Sequence, residues 1–181
     1  DKNWLEILHN TMISKKIDLI GGRLIEINVH NKINLWRSIY LKQNWGNQSF
    51  ENPDFIFGAN SLINKKTLKN FKITYDERLK TNGEDVNISR IFRKNNLKLY
   101  YEAKAKCFHL QTDDINSLSN RYWRYSFYGA GLKKLNFLKL IKLIIRQFKK
   151  FFIWSFDDLR RRKIFFVKIN LIVSLSFMNL C

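Results

Sequence analysis

Residues 83–110 read GEDVNISRIFRKNNLKLYYEAKAKCFHL, and their pattern decides the fold class. Glu84 and Asp85 precede an apolar series at helical spacing (Val86, Ile88, Ile91, Phe92), and Arg90, Arg93 and Lys94 follow. Acids at the start and bases at the end complement a helix dipole, so the pattern predicts a helix over 84–94, ended by Asn95–Asn96. Leu97–Glu102 and Ala105–Leu110 then read as two short strands. Working outward, Asn64–Asn70 reads as a short helix and Phe55–Ile63 (FIFGANSLI) as a buried strand. Asp18–Asn28 reads as a strand kinked or bulged at Gly21–Gly22. Trp4–Met12 is a short helix with Trp4, Leu5 and Leu8 on one face. Asn31–Pro53 is a long, mostly irregular excursion with one helical turn near Trp36–Leu41. Downstream, Thr112, Asp113 and Asp114 offer N-caps for a helix through Tyr128, stopped by Gly129 and Gly131. Strands alternating with helices indicate an α/β architecture. There is no internal repeat.

The 181 residues suffice for one domain with a real core, or one domain plus an appendage. Hydrophobic residues at 45% and charged residues at 27% exclude a disordered or collagen-like chain. Two cysteines make no disulfide framework and point to a reducing compartment. No CxxC or dense Cys/His cluster suggests structural zinc. The chain opens on Asp1 with no signal-peptide pattern, and the expectation is that its true start lies upstream. Net charge is +18. Residues 132–181 hold 12 basic and 2 acidic residues, so the tail carries over half the excess. Such an excess suits a polyanion, whether nucleic acid, anionic membrane or phosphorylated ligand. A composition biased toward Lys, Asn, Ile and Phe explains the charge of the first part equally well.

Three segments occur in a fixed order. Gly58-Ala59-Asn60 precedes a short helix. Tyr75-Asp76-Glu77-Arg78-Leu79 is followed by Gly83-Glu84-Asp85 at a helix start. Tyr100-Tyr101-Glu102-Ala103-Lys104-Ala105-Lys106-Cys107-Phe108-His109 ends in a histidine. Together they resemble the C-terminal half of family 2 glycosyltransferases, which have the GT-A fold. Trp4-Leu5 and Asp18–Gly22 resemble the helix and strand just after that family's metal-binding D-x-D. The resemblance covers about residues 1–131. It implies a GT-A-like, Rossmann-related mixed sheet with flanking helices, incomplete at its N-terminus because the D-x-D and the preceding nucleotide-binding βαβ region are absent. Ala103 stands where the family often has proline. The Q-x-x-R-W motif of processive members is also missing; Arg121-Tyr122-Trp123-Arg124 stands instead, which favours a non-processive enzyme.

The resemblance assigns roles. Glycosyl transfer needs a base to deprotonate the acceptor hydroxyl and positive charge to stabilise the departing diphosphate. Asp85 corresponds to the family's base, with Glu84 orienting it or binding the acceptor; alternatively, both acids simply complement the helix dipole. His109 corresponds to a ligand of a divalent cation, and imidazole suits Mn²⁺ better than Mg²⁺. The partner carboxylate would come from the upstream D-x-D. A packed or surface histidine is the alternative. Gly58 and Ala59 let backbone approach a sugar and Asn60 hydrogen-bond one, or the glycine serves tight strand packing. Arg121 and Arg124, one helical turn apart, either hold a diphosphate or lipid phosphate or line a solvated face. Trp36, Trp45 and Trp123 stack on sugars or belong to the core.

The tail is read separately. Leu138, Ile141, Ile144, Ile145, Phe148, Phe151 and Phe152 share one helical face, and Lys139, Lys142, Arg146, Lys149 and Lys150 the other. A basic face opposite an apolar one suits a helix lying in an anionic membrane interface; packing of the apolar face on the preceding domain is the alternative. Arg160–Lys163 is a basic cluster. Ile164–Cys181, interrupted by Lys168, Asn170 and Asn179, reads as a second interfacial or packing helix, marginal as a membrane span. The organisation expected is therefore an acceptor-side GT-A part over 1–131 and a basic amphipathic tail over 132–181.

The leading expectation is an inverting glycosyltransferase. It would move sugar from a nucleotide-diphospho donor to a glycan or lipid-linked acceptor, peripherally at the cytoplasmic membrane face. The alternative is a non-catalytic peripheral membrane module or a truncated remnant of such an enzyme. No zinc finger, RNP-like motif or helix-turn-helix supports nucleic acid as the partner.

Overall fold

The computed structural model describes residues 2–79, 82–131 and 136–178. It is a mixed α/β structure that divides into two compact units. The first comprises residues up to Ile27 and Lys42–Leu110; the second comprises Asn28–Leu41 and Gln111 onward.

The first unit is built on a four-stranded mixed sheet ordered β2-β4-β1-β3. Its central pair is β1 (Leu19–Glu26) and β4 (Leu99–His109), which run parallel. The short strands β2 (Phe50–Glu51) and β3 (Ser61–Ile63) flank them antiparallel. Side chains alternate across a strand, so neighbours serve opposite cores. Ile20 and Tyr100 join Leu8 and Met12 of α1 (Trp4–Lys15) on one face. Leu19 and Leu99 join Ile88 and Phe92 of α4 (Glu84–Lys94) on the other. The short helix α3 (Lys65–Asn70) is capped by Asn64, whose side chain accepts the Lys66 N–H at 2.9 Å. Asp18 ties these parts together: its carboxylate accepts the Thr67 hydroxyl at 2.6 Å and the Lys98 N–H at 2.9 Å.

Several sequence expectations change. β4 is one continuous strand, not two: Ala103 and Lys104, which read as a break, are with Ala105 the extra residues of an irregularity. Gly22 pairs with Glu102 and Arg23 with Lys106, so the two expected kink glycines sit at the bulge while the surplus chain lies in β4. Phe55–Ile63 is not a strand throughout; a 3₁₀ turn occupies Gly58–Asn60 and only Ser61–Ile63 pair. Leu5 is exposed, and α1 packs through Leu8 and Met12 instead. The α4 boundaries match the sequence reading, and Gly83 precedes the helix at φ 93°, a conformation that favours glycine.

The second unit is helical: α2 (Lys32–Tyr40), α5 (Ile115–Gly131), α6 (Phe137–Arg160) and α7 (Ile164–Met178). A division at residue 131 separates helices that cluster together here. α2 is a full helix, not a single turn. Its N-cap Asn31 accepts the Asn34 N–H at 2.7 Å, and it buries Trp36 beside Leu118, Tyr122, Ile169 and Val173. α5 continues through Gly129 to Gly131. The remaining tail residues, 132–135 and 179–181, lie outside the described residues, as does Cys181. Among the described residues no helix is long and apolar enough to cross a membrane.

This unit is organised around a buried carboxylate. Arg37 donates to Asp113 Oδ2 at 2.5 Å, and Arg121 donates to Oδ1 and Oδ2 at 2.9 and 3.2 Å. The Asp113 N–H donates to Asn34 at 2.7 Å, and the Ser117 hydroxyl reaches Oδ1 at 3.1 Å. Arg37, Asp113 and Arg121 are all buried. Burial by itself pushes the Asp113 carboxyl up, but the hydrogen bonds from Arg37 and Arg121 outweigh it and hold the group below the usual carboxylate range. A depressed folded pKa contributes stability above the unfolded value and loses it as pH falls through the folded one. Stability of this unit is therefore expected to fall on acidification below the ordinary carboxylate range. Asp113→Asn is expected to cost about 3 kcal/mol or more, since it leaves two buried guanidinium groups against one neutral partner. Denaturant unfolding across pH checks both, and the Asn variant should lose the acid-side dependence.

Candidate functional site

In the first unit a short segment lies over the glycines of β1. A Cβ on Gly21 would stand 2.5 Å from Ile56 Cγ2. A Cβ on Gly22 would stand 2.5 Å from Asn60 Nδ2 and 2.3 Å from the Ala105 carbonyl oxygen. Glycine at both positions thus lets residues 56–60 settle on the sheet. Asn60 is buried, and its Nδ2 donates to the carbonyls of Ala105 at 3.1 Å and Arg23 at 3.3 Å. It bridges β1 and β4 where their register shifts and satisfies carbonyls that the bulge frees.

The same segment docks on the start of α4. The Gly58 N–H donates to Asp85 Oδ2 at 3.3 Å, and the Val86 N–H donates to Asp85 Oδ1 at 2.7 Å. Ser89 donates its hydroxyl to the Asp85 carbonyl at 2.7 Å and accepts the Ile56 N–H at 3.0 Å. Asp85 is therefore fixed at the helix N-terminus against the Gly-Ala-Asn turn, where dipole and amides both favour negative charge. Gly58 and Ala59 are exposed. A Cβ on Gly58 would meet only Asp85 Cβ at an ordinary 3.4 Å, so the fold itself does not demand glycine there. Among the described residues, two side-chain acceptor atoms are buried with no hydrogen-bond partner: Asn60 Oδ1 and Glu84 Oε2. Buried acceptors of this kind call for a donor, and a ligand hydroxyl would provide one.

Sequence reasoning missed two neighbours. Burial pushes the Tyr75 phenol up, and the charges of Glu84 and Asp85 push it further, which places Tyr75 within electrostatic reach of the acids. Its signal was its place at the head of the Tyr-Asp-Glu-Arg-Leu segment. Glu26 is the other. It ends β1 opposite His109 at the end of β4, and Glu26 Oε1 lies 2.7 Å from His109 Nδ1 with both side chains largely buried. A carboxylate on one ring nitrogen fixes orientation and leaves the other nitrogen for a ligand. Only parallel pairing brings these two together, and no local spacing announces it.

His109 and Glu26 offer two donors, and among the described residues no group of three or more His, Cys, Asp or Glu side chains could hold a metal. The residues present do not by themselves make a cation site.

Trp45 is half-buried and packs edge-on to Phe55 with ring centres 5.2 Å apart, and Phe57 lies 5.7 Å away. Its indole N–H donates to the Phe55 carbonyl at 2.8 Å, so this aromatic cluster adjoins the Gly-Ala-Asn turn along the chain. Trp36 is core. Trp123 is part-exposed and stacks on Phe127 at 5.1 Å. Arg121 and Arg124 belong to the second unit. Arg121 is not on a solvated face: its guanidinium is taken by Asp113.

The chain matches no family model, no curated protein and no solved structure.

Gly22→Ala is expected to destabilise the first unit by about 2 kcal/mol or more, because the clashing Ala105 oxygen is backbone and cannot swing away. Thermal unfolding checks this. The amide resonances of Gly58 and Asp85 should move as well, since the turn is displaced with Asn60.

Proposed function

We propose that the first unit is the acceptor-side part of a GT-A-type, family 2-like inverting glycosyltransferase, non-processive. It transfers a sugar from a nucleotide-diphospho donor to a hydroxyl of a glycan or lipid-linked acceptor. One observation carries the reading. The three sequence segments that resemble the family converge: Gly58 of the first bonds Asp85 of the second, and Asn60 of the first bonds Ala105 of the third. A shared ligand site requires that segments distant in sequence meet, as these do.

Asp85 is the base. Its carboxylate oxygens are held by the Gly58 and Val86 amides, which fix its orientation. It accepts the proton of the acceptor hydroxyl as the oxygen attacks the anomeric carbon and the carbon–oxygen bond to the diphosphate breaks, inverting the centre. Glu84 Oε2 accepts from a neighbouring acceptor hydroxyl and orients it. Gly58 and Ala59 give an exposed backbone edge to the sugar, and Trp45 with its phenylalanine neighbours provides an apolar platform nearby. His109, oriented by Glu26, is the group the resemblance offers to a divalent cation (Mn or Mg) shared with an upstream D-x-D. The chemistry assigned to Asp85 and Glu84 does not depend on that cation. Arg121 is committed to Asp113, so no diphosphate role is assigned to it.

The test is transfer from a panel of nucleotide-diphospho-sugars by the complete enzyme, with the D-x-D half in place. Asp85→Asn is expected to lower turnover about 10²- to 10⁴-fold while the donor dissociation constant stays within about threefold. Turnover retained in the Asn variant would remove Asp85 from the role of base. Absence of transfer from every donor and acceptor class would remove the reading itself.

A further inference from the structure

The second unit holds a helix whose burial runs opposite to its polarity. α6 buries Gln147, Ser155 and Asp158. These face α7: the Gln147 amide reaches Ser174 at 3.5 Å, and the Asn170 amide donates to Asp158 Oδ2 at 2.9 Å and Ser155 Oγ at 3.4 Å. Asn170 is itself fully buried and accepts the Trp36 indole N–H at 2.7 Å; Tyr40 donates to Asp158 Oδ1 at 2.6 Å. The apolar residues turn outward. Phe137, Ile141, Ile145, Phe148, Phe152 and Phe156 are 37–74% exposed. At 100° per residue they occupy a sector about 100° wide, running along most of the helix for about 29 Å. Leu171 and Leu175 of α7 are exposed as well.

The flank of the stripe says what covers it. Lys139, Lys142, Arg146, Lys149 and Lys150 fill the next sector and are all exposed. The acid on that side, Asp157, is tied to Arg161 at 3.1 Å. A second copy of a chain with net charge +18 is opposed by repulsion, so the occupant is anionic. It must also be apolar along one straight edge about 29 Å long, with negative charge at the level of the lysines. A bilayer surface has that profile: acyl chains beneath, phosphates at the rim.

We propose that the outward face of α6 lies in the plane of an anionic bilayer interface, with the phenylalanine and isoleucine stripe inserted and the lysine and arginine row on lipid phosphates. The hydrogen-bonded seam with α7 holds the helix while its apolar side is given to lipid. This does not rest on the glycosyltransferase reading and survives its failure.

Flotation of the full chain with phosphatidylcholine vesicles, with and without about one third phosphatidylglycerol, tests it. Binding to the anionic vesicles is expected, weakening as salt rises from about 0.1 M to about 1 M. The variant Ile145→Ser/Phe148→Ser/Phe152→Ser is expected to lose about tenfold or more in partitioning with its circular dichroism unchanged. Lys142→Glu/Lys149→Glu should lose the preference for anionic vesicles, and it decides the question if the triple variant fails to fold. Equal binding by wild type and both variants, or no binding to any vesicle, overturns the proposal. So does a wild-type dimer in light scattering that the triple variant dissolves and vesicles do not.

Discussion

Asn60 occupies space that only glycine at position 22 leaves open, and the first unit is assembled around that fit. The amide fills the place of the missing side chain and bonds carbonyls of β1 and β4 at the point where their pairing slips. Gly21 makes the matching room for Ile56, whose N–H is bound through Ser89 to α4. The turn between them then presents the Gly58 amide to Asp85. One steric allowance in a strand thus sets the position of an acid at a helix start. The bulge that weakens the central strand pair is what frees the Ala105 carbonyl to hold the turn.

The second unit solves a different problem. A buried aspartate between two arginines would be costly alone; here both Asp113 carboxylate oxygens and its N–H have partners from α2 and α5. Such a cluster adds little net stability over an apolar equivalent but punishes mispairing strongly, so it specifies which helices come together. The seam of Gln147, Ser155, Asp158 and Asn170 acts in the same way between α6 and α7. The α6–α7 seam is polar, while Trp36, Leu118, Tyr122, Phe166, Ile169 and Val173 form the apolar core of the same unit.

What could be read in advance follows from how local each signal is. α4 was legible to the residue because its acids, bases, glycine and asparagines all lie within its own length. The β1 strand and its irregularity were legible from Gly21–Gly22, but not which strand carried the extra residues, since that depends on pairing with a segment some eighty positions away. α2 read as irregular because its stability comes from Trp36 meeting α7 and Arg37 meeting Asp113, contacts invisible to any window of sequence. At the site, Gly58, Asn60, Glu84 and Asp85 were marked by the family resemblance of the segments that carry them. Glu26 did not, because only the parallel register sets it beside His109. On α6 the two-sided pattern was plain, yet which side would be buried was not, because polar hydrogen bonds rather than apolar area decide it.

The central claim is that the Gly58–Asn60 turn and the Glu84–Asp85 helix start act as one ligand site. Amide chemical shifts of the isotope-labelled chain, titrated with nucleotide-diphospho-sugars and with free mono- and oligosaccharides, test it most directly. The account predicts that the largest shifts fall together on Gly58, Ala59, the Asn60 side-chain amide, Asp85 and Val86, with a single binding curve. Shifts confined elsewhere, or moving on the turn and the helix with different affinities, would contradict it.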